Sequence, residues 1–417
     1  MKKIIYSGDE ENLYGIGFLG SSEIAIWEID VSTGHNKVRK TFKYEGELST
    51  GELIINGNSA VALDAPGENL VIVSIDQSVV HVINIKQLIP EGIGKPQLLA
   101  ETIDAIFALQ FSNQFVLVKS GLPHDNLEVI KTFEGSTVIT NGLELPDKKS
   151  AFSVVQQIAV NKIAVHIILH QDGENKISTE FIGLAPQKGV VQRAYLNDYI
   201  RNDKSHGFRV LLVTMDSSLT LLQQGEVVWD REDGLACILE ASTAELPLEK
   251  EGVSVAKVEH SLVEWLKDHW LKLQATLMLA NPEEITAVQA LRLKSGDKTK
   301  MSRDHNGFRK LLIVVTKAGK VYALHTGDGR IVWSLLIPAF QTMVGRVKVL
   351  KLLAWQVPHK HALDENPVFL VVAESTGDDE IVGMLSWVDA SSGAELRSVK
   401  LTYRIEQLIP LPFTDSS

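Results

Sequence analysis

Two pairs of histidines are the residues best spaced for metal chemistry. His359 and His361 flank Lys360, so an extended backbone would turn both imidazoles to one side. Two ligands do not complete a tetrahedral site, and the neighbouring Pro358 and Asp364 favour a solvated loop. His166 and His170, in HIILH, also share one side of a strand, but within an apolar run where a core or edge position is the simpler reading. The single cysteine, Cys237, excludes an internal disulfide and any multi-cysteine zinc site. The 417 residues contain no P-loop, no Gly-x-Ser-x-Gly and no His-Glu-x-x-His. Catalysis needs several polar groups converging in one pocket, and no such constellation stands out. The reading is therefore no catalytic residue, no cofactor and no metal ligand.

The elements that would carry any site repeat themselves. HGFRVLLVTMDSSLTLLQQGEVVW, from His206 to Trp229, returns as NGFRKLLIVVTKAGKVYALHTGDGRIVW, from Asn306 to Trp333. Gly207, Phe208 and Arg209 thus match Gly307, Phe308 and Arg309, and Trp229 matches Trp333. Each copy reads as an apolar strand, a tight turn, a second strand, a polar turn and a tryptophan. Partial copies run from Ile24 to Tyr44 and from Gly383 to Tyr403. Their shared grammar is an alternating strand, an Asp or His, a short turn ending in Gly, and another strand. Gly34, Gly327, Gly329 and Gly393 can supply the positive φ of such turns, and Asp30 and Asp389 can bond the turn backbone. A unit of this kind cannot bury its apolar face alone, so its recurrence predicts stacked blades. Trp27, Trp229, Trp333 and Trp387 are then expected to fill the core between blades.

The pattern predicts an all-β fold, a β-propeller of four-stranded, quinoprotein-like (PQQ-like or WD-like) blades with one inserted amphipathic α-helix. At roughly 40–50 residues per blade, the chain has room for about eight or nine. Residues 1–245 and 286–417 read as blades, and 246–285 as the inserted helix with its linkers. The net charge of −11 and the absence of any Lys/Arg run longer than two exclude a basic nucleic-acid footprint. No apolar stretch reaches the roughly 18–20 residues that cross a bilayer, and MKKIIYSGDEENLYG carries no apolar signal core.

The helical pattern runs from Val253 to Leu279. Val255, Val258, Leu262, Trp265, Leu266, His269, Leu273 and Leu277 recur at three- and four-residue steps, opposite Lys257, His260, Glu264, Lys267 and Asp268. Its i,i+4 ion pairs contribute little, so burial must stabilise it, and Asn281-Pro282 ends it. Two readings are open: the helix packs on a blade flank, or it lies in a membrane interface with Trp265 and Trp270 near the headgroups.

The two Gly-Phe-Arg segments, with LPLEKEGVSVAKVEHSLVEWLKDHWLKL between them, resemble the subunit 1 family of the endoplasmic reticulum membrane protein complex, in its plant form. The opening SGDEENLYGIGFLGSSEIAIWEIDVSTG is similar to an internal stretch of that family, and the resemblance covers essentially the whole chain as a middle slice. It implies a lumenal, non-catalytic propeller scaffold of a complex that inserts tail-anchored and multipass membrane proteins. It implies the other subunits and those clients as partners, and a helix at Val255 to Leu277 that braces the lumenal membrane surface. Two alternatives stand beside it. One is a free-standing propeller that binds proteins; the other is a quinone-dependent dehydrogenase, which shares the blade grammar but whose adjacent cysteine pair the lone Cys237 rules out.

Overall fold

The structure is a computed structural model. It describes residues 3–6, 12–30, 32–56, 59–74, 79–99, 106–120, 127–135, 137–146, 149–171, 174–246, 270, 301–302, 308–341, 346–356, 366–376 and 381–409. It divides into two compact units, Met1–Glu232 and Asp233–Ser417.

The first unit holds five antiparallel sheets, each formed by strands consecutive in sequence. Sheet 1 is β1 (Lys3–Tyr6), β2 (Asn12–Leu19), β3 (Glu23–Asp30) and β4 (Asn36–Lys43). Sheet 2 is β5 (Leu48–Asn56), β6 (Ser59–Asp64), β7 (Asn69–Ser74) and β8 (Val79–Asn84). The one-turn helix α1 (Ile85–Leu88), capped by the Asn84 side chain, leads to sheet 3: β9 (Gln97–Leu99), β10 (Ile106–Gln110), β11 (Gln114–Ser120) and β12 (Leu127–Glu134). Sheet 4 has a first strand broken into β13 (Thr137–Ile139) and β14 (Leu143–Leu145), both paired to β15 (Lys149–Ala159), then β16 (Lys162–Gln171) and β17 (Glu174–Gly183). Sheet 5 is β18 (Val191–Ile200), β19 (His206–Thr214), β20 (Leu219–Gln223) and β21 (Glu226–Arg231).

The second unit holds two sheets. Sheet 6 is β22 (Ile238–Glu245), β23 (Lys310–Thr316), β24 (Lys320–His325) and β25 (Ile331–Leu336). After the short helix α2 (Pro338–Gln341) comes sheet 7: β26 (Arg346–Gln356), β27 (Val368–Thr376), β28 (Ile381–Asp389) and β29 (Glu395–Leu401). Seven sheets therefore occupy the described residues, not the eight or nine expected from a blade of 40–50 residues. First strands begin at residues 3, 48, 97, 137, 191 and 238, a spacing close to that length; the count is lower because residues 246–309 separate β22 from β23 and residues 402–417 follow β29. The expected helix at 253–279 lies outside the described residues except for Trp270, which is exposed.

Strand periodicity explains the stacking. Successive side chains of a strand point to opposite faces. In sheet 3, Phe107, Leu109, Val116 and Val118 enter a core shared with sheet 2, while Ile106, Ala108, Phe115 and Leu117 enter one shared with sheet 4. Middle strands are thus apolar at nearly every position because both faces are covered. Parallel cores join sheets 1 and 2, sheets 4 and 5, and sheets 6 and 7. Fourth strands such as β4, NKVRKTFK, keep polar and charged side chains toward solvent, which protects an open sheet edge.

Two devices recur that local sequence did not reveal. In sheets 1, 3, 5, 6 and 7 the fourth strand carries one extra residue against the third: Arg39, Ile130, Val228, Val332 and Leu396. Such a bulge sharpens the local twist and re-aims the residues that follow it. The second device links first strands of neighbouring sheets through a side chain. Glu52 accepts the Leu98 amide N–H at 2.6 Å, Glu240 accepts that of Leu352 at 2.7 Å, and Asn141 both accepts from and donates to the Leu196 backbone at 2.8 and 3.2 Å. Each linking side chain lies at or beside an irregular point of its own strand.

Candidate interaction faces

The Asp-turn-Gly grammar folds into one geometry. Asp30 Oδ1 accepts the amides of Ser32 and Thr33 at 2.8 and 3.1 Å, and the Gly34 N–H, at φ +70°, donates to the Asp30 carbonyl. Asp389 repeats this with Ser391 and Ser392 at 2.8 and 2.7 Å and Gly393 at φ +72°. Burial would push the Asp389 carboxyl up, but the Ser392 amide and the Asn366 side chain outweigh it and hold the group below its usual value. His325 takes the aspartate's place in sheet 6, with Gly329 at φ +75°. Gly327 does not take the positive φ expected of it; the Gly327 amide instead donates to His325 Nδ1. These aspartates form turns.

The histidines likewise serve the scaffold. His166 is buried, with Nδ1 2.8 Å from Thr179 Oγ1 and Nε2 3.2 Å from Gln156 Oε1, and its ring lies 4.8 Å from Phe133. Burial and the nearby Lys131 cation lower its pKa to about 4, so it is neutral at physiological pH. His170 pairs with Asn175 across the hairpin. His359 and His361 lie outside the described residues, and Cys237 is an exposed free thiol. Among the described residues no three metal-ligating side chains converge, and no helix is long and apolar enough to cross a membrane. A cleft of about 360 Å³ opens where β9, β13 and β18 meet, but its Thr140 and Asn141 side chains are bonded to backbone.

The matched Gly-Phe-Arg segments do different work. In sheet 5, Gly207 lies opposite Tyr199, and a Cβ there would sit 2.4 Å from the phenol ring. The Arg209 guanidinium lies over that ring at 4.7 Å and donates to Gln223, whose amide donates to the Tyr199 hydroxyl. Phe208 packs against the core of sheets 4 and 5. In the second copy Gly307 lies outside the described residues, Phe308 is 79% exposed, and Arg309 donates to the Ser302 carbonyl.

The four tryptophans divide the same way. Trp27 and Trp387 stand on third strands, Trp229 and Trp333 on fourth strands directly after the bulge. Trp333 packs on the core of sheets 6 and 7, and its indole N–H donates to the Ala390 carbonyl at 2.9 Å. Trp229, in the last sheet of its unit, is 38% exposed. A third exposed tryptophan, Trp355, escaped the sequence reading. A bulge in β26 carries it, and it meets Trp387 edge-on at 5.7 Å beside Arg397.

Apolar side chains stand open on several surfaces, with Phe181 60%, Trp355 58% and Tyr195 47% exposed. Comparison with known proteins bears on what they belong to. Residues 1–233 match the family described as the EMC1 N-terminal beta-propeller domain, and residues 307–417 match the ER membrane protein complex subunit 1, second beta-propeller. The chain belongs to the family of endoplasmic reticulum membrane protein complex subunit 1. The first match ends within one residue of the boundary between the two compact units. The family descriptions thus name two propellers.

The ER membrane protein complex subunit 1 of Gallus gallus is 28% identical over 207 residues, covering 46% of this chain and 20% of that protein. The Xenopus laevis protein of the same name is 29% identical over 156 residues, covering 34% of this chain and 16% of its own length. The aligned part is thus about a fifth of these curated relatives. Among solved structures, Saccharomyces cerevisiae Sqt1 aligns over 98% of this chain and 88% of its own at 12% identity and a TM-score of 0.36, a likeness too low to bear on function.

Proposed function

We propose that this chain is a non-catalytic scaffold on the lumenal side of the endoplasmic reticulum membrane protein complex, supporting insertion and folding of tail-anchored and multipass membrane proteins. The observation that carries the reading is the pair of family matches, laid over two units whose polar groups are spent on turns and inter-sheet links. Sheets stacked over shared cores hold wide edges and loops in place without local unfolding, which suits a binding platform. The other subunits of the complex and its clients are the partners on this reading. Residues 1–245 and 286–417 supply the platform, with 246–285 as an insertion between them.

The segment from Val255 to Leu277 is the proposed brace. Its apolar stripe, with Trp265 and Leu266 at the centre, is suited to the lumenal membrane surface or to a membrane subunit. Changing Leu262 and Leu266 together to Asp tests this in cells carrying the assembled complex. Loss of co-purifying membrane subunits, with proteolytic protection of the blades unchanged, is the expected result. Full recovery of those subunits with the double variant sinks the brace, and failure of the unaltered chain to co-purify with any subunit sinks the scaffold.

A further inference from the structure

Sheet 4 keeps an edge that the other sheets blunt. The fourth strands of sheets 1, 3, 5, 6 and 7 carry a bulge, and β8, which has none, is six residues long and runs straight into α1. β17 has ten residues, pairs with β16 without a break from Gly183 to Glu174, and forms the outer edge of its sheet. A long, regular edge offers a row of unpaired N–H and C=O groups to another strand. Most of β17 is exposed, with Phe181 at 60% and Ile177 at 37%.

The ladder fixes which groups are open. At the end of the β16–β17 pairing the Leu184 N–H donates to the Asn161 carbonyl. Inward and outward bonding alternate along an antiparallel strand, so Ile182, Glu180, Ser178 and Lys176 bond to β16, while Phe181, Thr179, Ile177 and Asn175 turn their backbone groups outward. Thr179 agrees with this: its Oγ1 lies 2.8 Å from Nδ1 of His166 opposite, the closer side-chain approach of a pair that exchanges no backbone bonds. Among the described residues those outward groups meet no other backbone.

The residues between them select the partner. Lys176 and Glu180 share one face of the strand, with Ser178 midway. A second β17 running antiparallel must set outward residues against outward residues, which places the two-fold axis on a residue. With the axis at Ser178, Lys176 of each copy stands opposite Glu180 of the other, in pairs without backbone bonds, where side chains come closest. Ile177 then faces Thr179, Asn175 faces Phe181, and each Phe181 lies diagonal to an Ile177 of the other copy. With the axis at Lys176 or Glu180 like charges meet, and at Ile177 or Thr179 no Lys–Glu pair forms.

We propose that β17 is a self-association edge: a second copy of this chain adds its own β17 antiparallel to it, joining two copies of sheet 4 across a two-fold axis at Ser178. The outward groups of Ile177 and Thr179 bond the centre, two Lys176–Glu180 pairs set the register, and Phe181 and Ile177 close one face. The inference rests on the ladder and charge spacing of β17 and is independent of the scaffold reading.

Sedimentation velocity of the full chain over a concentration series, with hydrogen exchange of β17, tests this. Reversible dimerisation in roughly the micromolar range is expected, the amides of Ile177, Thr179 and Phe181 slowing as dimer forms. Lys176→Glu alone and Glu180→Lys alone each set like charges opposite one another twice and should weaken dimerisation about tenfold. The double variant Lys176→Glu/Glu180→Lys restores both pairs and should dimerise as the parent does, and an equimolar mixture of the two single variants should form the mixed dimer. Circular dichroism verifies that each variant folds. A parent chain still monomeric at about 1 mM, single variants that associate as strongly as the parent, or a double variant that does not recover would overturn the proposal. Amides of β17 that slow only when other subunits of the complex are added to a monomeric chain would overturn it in favour of a strand from one of those subunits.

Discussion

Sheets 5 and 6 start from nearly the same words and end as different interfaces. Both place a tryptophan after a fourth-strand bulge, yet Trp333 is anchored to the Ala390 carbonyl and Trp229 stands exposed. Both begin with Gly-Phe-Arg, yet the first copy lies inside β19 and the second precedes β23, which starts at Lys310. The connection decides this. β18 and β19 are joined by residues 201–205, a tight turn in which Asp203 accepts from the Ser205 amide, so pairing continues to Ile200 opposite His206. β22 and β23 are joined across residues 246–309, and pairing stops at Glu245 opposite Lys310, closed by an ion pair of 2.8 Å. Phe208 and Arg209 therefore lie in a strand, while Phe308 and Arg309 lie ahead of one.

The sharpest way to break this comparison is to remove the two tryptophans in turn. Trp333→Ala should cost about 3 kcal/mol in urea unfolding, for a large ring lost from a core, and Trp229→Ala about 1 kcal/mol or less. Equal costs would mean that the two tryptophans are equivalent in the folded chain. The turns sharpen the same contrast. Gly393→Ala forces a Cβ against the Trp333 indole at a positive φ and should cost about 2–3 kcal/mol, whereas Gly34→Ala, with open space around it, should cost only about 1 kcal/mol for its backbone.

Gly207→Ala probes the first Gly-Phe-Arg alone. Its Cβ would displace the Tyr199 ring and with it the Arg209 stack, at an expected cost of about 2 kcal/mol; a neutral result would show the stack to be incidental. The smallest effect is a pH dependence confined to the first unit. His166 has a pKa lowered from 6.5 to about 4 on folding, so its contribution is complete above pH 6.5 and is lost as the pH falls toward 4. About 1 kcal/mol should disappear over that window, allowing for partial screening, and His166→Gln should flatten the slope in hydrogen exchange of β16.

Much of this was legible in the chain. Alternating apolar residues, Asp30 and Asp389 before their turns, and the glycines that close them specify strands and hairpins through local chemistry, and repetition specified stacking. The residues that link sheets were not legible. Glu52, Asn141 and Glu240 act on backbone groups 46, 55 and 112 residues away, and nothing near them in sequence marks the partner. Trp355 was missed because a bulge, which strand alternation does not predict, turns it outward.

The sequence by itself determined the all-β blade grammar, the turn chemistry and the family, because each rests on spacing within a few dozen residues. Tertiary structure alone decided which tryptophan is core and which is surface. Burial depends on whether another sheet stands against the ring, and sheet 7 stands against Trp333 while Trp229 closes the last sheet of its unit.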